Sequence, residues 1–132
     1  MQLLFNGNED MLGLMIAGRP EDLRRLGARL IEFDSQLKTS FSAVPSKYYK
    51  YSLSSARFSK SSPEEALLSL RVSGDGLNVT GGHQAFSNLG HSLVDFFAPP
   101  VGEGEHFQLD HFDETIVSAE TPCMLVCSAT FE

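Results

Sequence analysis

Past Arg71 the chain has no lysine and no arginine: all ten basic residues lie in residues 1–71, beside eight acidic ones, while residues 72–132 carry nine Asp or Glu. A purely acidic half disfavours nucleic acid and anionic membranes as partners, because the phosphate term that dominates such binding would be repulsive there. It favours a basic protein, whose encounter opposite charge would steer. No stretch approaches the ~20 apolar residues of a membrane span. The N-terminus, MQLLFNGNED, lacks a basic segment and an apolar run long enough for a signal peptide, so the expected location is the cytoplasm. Tryptophan is missing, and cysteine nearly so. Cys123 and Cys127 stand four apart in one expected strand, roughly 13 Å at ~3.3 Å per residue, beyond the ~7 Å Cα limit of a disulfide. C-x3-C without a second pair is a weak zinc signal, so two reduced, packed thiols are expected, with no metal and no cofactor. GxGxxG, GxxxxGK and G-x-S-x-G are all missing, which leaves phosphate cradles and serine nucleophiles without a motif.

What the chain does have is an echo. Gly13 to Phe33 reads GLMIAGRPEDLRRLGARLIEF, and sixty-three positions on Gly76 to Phe96 reads GLNVTGGHQAFSNLGHSLVDF. Ten positions match without a gap, among them Gly13/Gly76, Ile16/Val79, Leu26/Leu89, Gly27/Gly90, Leu30/Leu93 and Phe33/Phe96. In each copy a hairpin precedes a helix. Residues 2–6 and Met11–Ala17 flank Asn6-Gly7-Asn8, and Ala66–Ser73 and Leu77–Thr80 flank Gly74-Asp75-Gly76. Pro20 suits the first helical position, with Glu21 and Asp22 where the helix dipole favours negative charge. Leu23, Leu26, Leu30 and Phe33 make one face of the first helix, with Arg24, Arg25 and Arg29 on the solvated side. Phe86, Leu89, Leu93, Phe96 and Phe97 make the apolar face of the second. Glycine at the same mid-helix position in both copies, where it costs on the order of 1 kcal/mol, implies a close approach of helix to sheet.

Each copy then closes with strands. Lys47-Tyr48-Tyr49-Lys50-Tyr51 favours a strand with wet hydroxyls, flanked by serine-rich loops; a stacking platform for single-stranded nucleic acid is the sharper but weaker reading. HFQLDHF, residues 106–112, alternates cleanly, and CMLVCSATF is apolar enough for a central strand. The expectation is one α+β domain over residues 1–132. It would consist of an internally duplicated β-β-α-β-β unit (about 1–65 and 66–132), with an antiparallel sheet and both helices on one face, related by a pseudo-twofold axis.

The chemistry-bearing residues cluster in the second copy. His106, Gln108, Asp110, His111, Asp113 and Glu114 place imidazoles and carboxylates within nine residues. Such groups bind metals or act as base and orienter. His106 and Asp110 are two pleats apart, however, roughly 13 Å along a strand, too far to share a proton. The plain alternative is a solvated, acidic strand end. His83 and His91 fall on the second helix, expected exposed.

The hairpin, the helix with LGHSL, then EHFQLDHF and TPCMLVCS together resemble small bacterial immunity proteins of polymorphic toxin systems, the Immunity protein 32 family. The resemblance covers roughly residues 70–130 and rests on Gly76, Leu89, Leu93, His106, Leu109, Asp110, Leu125 and Val126. The family's strand favours a second histidine where Gln108 stands, so a role resting on it does not carry over. The resemblance implies a cytoplasmic, non-enzymatic protein that binds a cognate toxin and blocks its active site or substrate surface. The residues expected to meet that basic partner are Glu103, Glu105, His106, Asp110, Asp113 and Glu114. An oligomeric scaffold, such as a homodimer, and a small-ligand binder near His106 and His111 are the alternatives, with a hydrolase ranked below both.

Overall fold

A computed structural model describes residues 1–44, 46–112, 115–120 and 122–131. β1 (Gln2–Phe5) and β2 (Leu12–Gly18) form the first hairpin, and α1 (Pro20–Glu32) follows. β3 (Gln36–Ser40), β4 (Tyr51–Leu53) and β5 (Ser55–Lys60) complete the first half. The second half runs through the hairpin of β6 (Ser69–Ser73) and β7 (Gly76–Gly81), α2 (His83–Phe96), β8 (His106–Asp110) and β9 (Cys123–Ala129). The class is α+β, as the patterning implies. Both hairpin turns use glycine at positive φ, Gly7 at +84° and Gly74 at +60°, a region that L side chains avoid.

In place of one antiparallel sheet there are two mixed ones, ordered β4-β1-β2-β9-β8 and β3-β5-β7-β6. Each is built around a parallel pair, β2 with β9 and β5 with β7. Alternation tells which face of a strand is buried but not which strand lies beside it, and β9 pairs with β2 from more than a hundred residues away. The hairpin of each half is completed by the closing strands of the other: β1-β2 meets β9-β8, and β6-β7 meets β5-β3. The registers correspond across the echo. Leu3 pairs with Ile16 as Leu70 does with Val79. Ile16 lies beside Cys127 as Val79 lies beside Phe58. Cys127 opposes Phe107 as Phe58 opposes Leu37.

The helices meet at the echoed glycines. A Cβ on Gly27 would stand 2.6 Å from the Gly90 carbonyl oxygen, and one on Gly90 would stand 2.5 Å from that of Gly27. The missing side chains therefore admit helix against helix, not helix against sheet. Leu26, Leu30, Leu89 and Leu93 surround that crossing and face Ile16 and Leu125 of one sheet and Phe58 and Val79 of the other. The void between them holds about 10 Å³, no larger than a water. Burial of this apolar set is what drives the two halves together.

Neither helix ends on glycine. Instead a cation from elsewhere reaches each C-terminus, where the dipole and the orphan carbonyls favour it. Lys60 Nζ donates to the Phe33 carbonyl and stands 4.3 Å from the Phe33 ring centroid. Arg24 Nη1 donates to the Phe97 carbonyl at 2.6 Å, so Arg24 is a half-buried bridge between the helices rather than a solvated residue. Pro20 occupies the first turn of α1 as expected.

Three further local expectations change. Tyr48 lies in a bend and Tyr49 in irregular chain before β4, with only Tyr51 in a strand. The serine-rich flank instead forms β5, because Ala56 and Phe58 alternate inward against Ser55, Arg57 and Ser59. Phe96, grouped with the core face of α2, is 41% exposed, while Phe97 is fully buried.

Candidate functional site

β8 is the outermost strand of the five-stranded sheet. Its alternation holds as expected: Phe107 and Leu109 are half-buried against the core, and His106 and Gln108 are exposed. The strand follows a turn closed by Gly104 at φ +84°, in which Glu105 Oε2 accepts from the Gly102 N–H at 2.9 Å and His106 Nδ1 lies 3.0 Å from the Gly104 carbonyl oxygen. Glu103, Glu105 and His106 are therefore gathered on one exposed corner. Asp110 stands at the far end of the strand, its Oδ1 accepting from the Phe112 N–H at 2.9 Å. Asp113 and Glu114 lie outside the described residues. Four of the six expected contact residues thus share one strand and its leading turn.

His111 belongs to the scaffold. Its Nδ1 lies 3.2 Å from the Cys123 carbonyl oxygen and 3.3 Å from the Cys123 nitrogen, which fastens the end of β8 to β9. Cys123 and Cys127 are free and buried on the inner face of β9. Burial, with the Asp110 charge as a second cause, pushes the Cys123 thiol up to about 11, and burial pushes Cys127 up to about 12. Both are protonated, inert thiols at neutral pH.

Phe96 adds a group that its heptad-like spacing hid. Its ring packs edge-on against Phe97 at 4.9 Å and Phe107 at 5.1 Å between centroids, which fixes it in place with its outer face in water. Two shallow hollows of about 560 and 600 Å³ meet at this ring. One is closed by Glu103, Glu105 and His106, and the other by His91, Asp95 and Gln108. His91 is exposed as expected.

The outward face of this sheet differs from its counterpart. One cross-strand row reads Leu4, which is buried, Met15 and Val126, which are half-buried, and exposed Gln108. The equivalent row of the four-stranded sheet reads Arg71, Asn78, Arg57 and Lys38, all exposed. Met124, 43% exposed, extends the apolar stripe beside Asp110. The signal for this was present in sequence: β2 and β9 are apolar on both faces, whereas β5 and β7 alternate.

An open cleft of about 600 Å³ lies between the two hairpin turns, with Glu9, Asp10, Tyr51 and Asp75 in its walls, and the Ser54 hydroxyl donates to Asp75 Oδ2 at 2.7 Å. Among the described residues no three His, Cys, Asp or Glu side chains converge on a metal-sized space, and no helix is long and apolar enough to cross a membrane. Chemically, the β8 corner offers main-chain donors and acceptors, an immobilised aromatic ring and carboxylates, which are the materials of an interface. Comparison of the chain with family models, curated proteins and solved structures gives no match.

Proposed function

We propose that this chain is a binding protein that inhibits a cognate basic protein, in the manner of an immunity protein bound to its toxin, and that it does so through the β8 corner. The observation that carries the reading is the conjunction at one place of exposed Phe96 with the carboxylates of Glu103 and Glu105. Protein interfaces join an aromatic or apolar centre to a polar rim in this way. Carboxylates on that rim can stand in for substrate phosphates against a basic cleft, raising both the on-rate and the selectivity. The reading agrees with the resemblance carried by His106, Leu109 and Asp110, and with a chain half that holds no cation.

The test is direct binding of the product of the neighbouring gene, measured by calorimetry. Charge reversal at Glu103, Glu105 and Asp110 together is expected to weaken it at least about tenfold, more at low salt than at high. Unchanged affinity would remove the acidic corner from the interface. The double variant Asp113→Lys with Glu114→Lys extends the same test to the end of the segment.

A further inference from the structure

The four sheet edges are not equally guarded. β4 is three residues long. β3 carries exposed Lys38, whose carbonyl lies 3.5 Å from Arg29 Nη2. β6 carries exposed Arg71, and residues 116–118 run beside its start, with the Leu68 N–H donating to the Ile116 carbonyl at 2.7 Å and the Ser118 N–H to the Leu68 carbonyl at 2.9 Å. Short length, cations and covering segments are the devices by which edges avoid pairing with another chain. β8 has five residues, no lysine, no arginine and no proline.

Its pairing also shows which main-chain groups it leaves available. The Ala129 N–H donates to the Glu105 carbonyl at 2.9 Å and the His111 N–H to the Cys123 carbonyl at 3.2 Å. Residues 105, 107, 109 and 111 therefore turn their N–H and C=O groups toward β9, and antiparallel alternation turns those of His106 and Gln108 outward. Beside them stands Phe96, and around them Asp95, Glu103 and Glu105.

We infer that the partner docks by adding a β-strand to the β8 edge, and that this strand alternates apolar and basic side chains. The apolar set would continue the outward row of Val126 and Gln108, and the basic set would lie on the α2 side, beside Phe96 and Asp95 and next to the corner of Glu103 and Glu105. This rests on the binding function proposed above and specifies its geometry. Strand addition takes affinity from main-chain hydrogen bonds and specificity from alternate side chains. A second copy of this chain fits poorly, since it would bring another set of carboxylates and no cation against Glu103 and Glu105.

Gln108→Pro deletes the outward N–H while leaving the β9 ladder untouched, a setting in which proline is tolerated in an edge strand. With the neighbouring gene's product as probe, Gln108→Pro should weaken binding at least about tenfold, and Gln108→Ala by less than about twofold. Amide hydrogen exchange on the wild-type complex should slow at residues 106 and 108, a measurement that stands even if the proline variant does not fold. Binding that survives Gln108→Pro, with no slowing at those amides, overturns strand addition but leaves the binding function. Failure of the wild-type chain to bind the probe overturns both. A mass twice that of the monomer in light scattering without partner, abolished by Gln108→Pro, would give the edge to a second copy and overturn the basic strand.

Discussion

Replacing Gly27 or Gly90 with alanine would on helix propensity alone stabilise the protein by about 1 kcal/mol. The crossing reverses the sign. A new Cβ at position 27 would meet the Gly90 carbonyl oxygen at 2.6 Å and Leu93 Cβ at 2.9 Å; at position 90 it would meet the Gly27 oxygen at 2.5 Å and Ile31 Cγ1 at 2.7 Å. A comfortable carbon-to-oxygen contact is about 3.3 Å, so the helices must part by about 0.7 Å. A gap of that size forfeits a quarter to a half of each dispersion well of about 0.15 kcal/mol. If Leu26, Leu30, Leu89 and Leu93 each make about ten atom contacts across the crossing, the loss is roughly 2 kcal/mol, to which overpacking strain adds. Net of the propensity gain, each alanine should cost about 1–2 kcal/mol, read as a shift of the urea midpoint followed by circular dichroism at 222 nm. The double variant should cost clearly less than the sum, because the separation forced by the first methyl accommodates the second. Either single variant matching or exceeding the wild-type midpoint would refute the crossing.

Other substitutions test separate links. Thr39 Oγ1 is buried without a hydrogen-bond partner among the described residues, so the near-isosteric Thr39→Val should raise stability by about 1 kcal/mol in the same urea assay. Arg24→Met removes the charged donor from the C-terminus of α2 and should cost about 1–2 kcal/mol, seen as a lower thermal midpoint. The two thiols make stability fall in alkali: their folded pKa values lie above the ordinary 9, so the stability they contribute is complete below pH 9 and is lost as pH rises through about 11 and 12. The slope should approach about 1.4 kcal/mol per pH unit for each thiol, and the Cys123→Ala, Cys127→Ala double variant should show a shallower decline between pH 9 and 10.5.

Local order was legible, and long-range partnership was not. Glycine turns, Pro20 and the leucine spacing define both hairpins and both helices because those signals act within a few residues. Choosing β9 as the neighbour of β2 depends on contacts over a hundred residues apart in sequence. The tyrosines before β4 show propensity without a partner strand to realise it, while Ala56 and Phe58 show that modest alternation suffices when a partner is there. The alternation of β8 marked its exposed residues correctly. Phe96 escaped because periodicity defines a stripe, and a residue at the stripe's margin is core or surface according to what packs beside it. The edge status of β8 could not be read at all, since it is a property of strand order.

The exchange of closing strands between the halves gives the molecule the connectivity of two intertwined subunits joined by a tether, residues 61–68. A tether turns association into an intramolecular event, so this arrangement does not come apart on dilution as two separate halves would. It also frees the halves from identity. Two identical subunits around a true twofold axis must present the same row on both outer sheets, whereas one continuous chain can carry Arg71, Arg57 and Lys38 on one sheet and Leu4, Met15 and Val126 on the other. Within this frame of corresponding registers, a single covalent link thus permits a molecule whose two sheets carry chemically opposite rows.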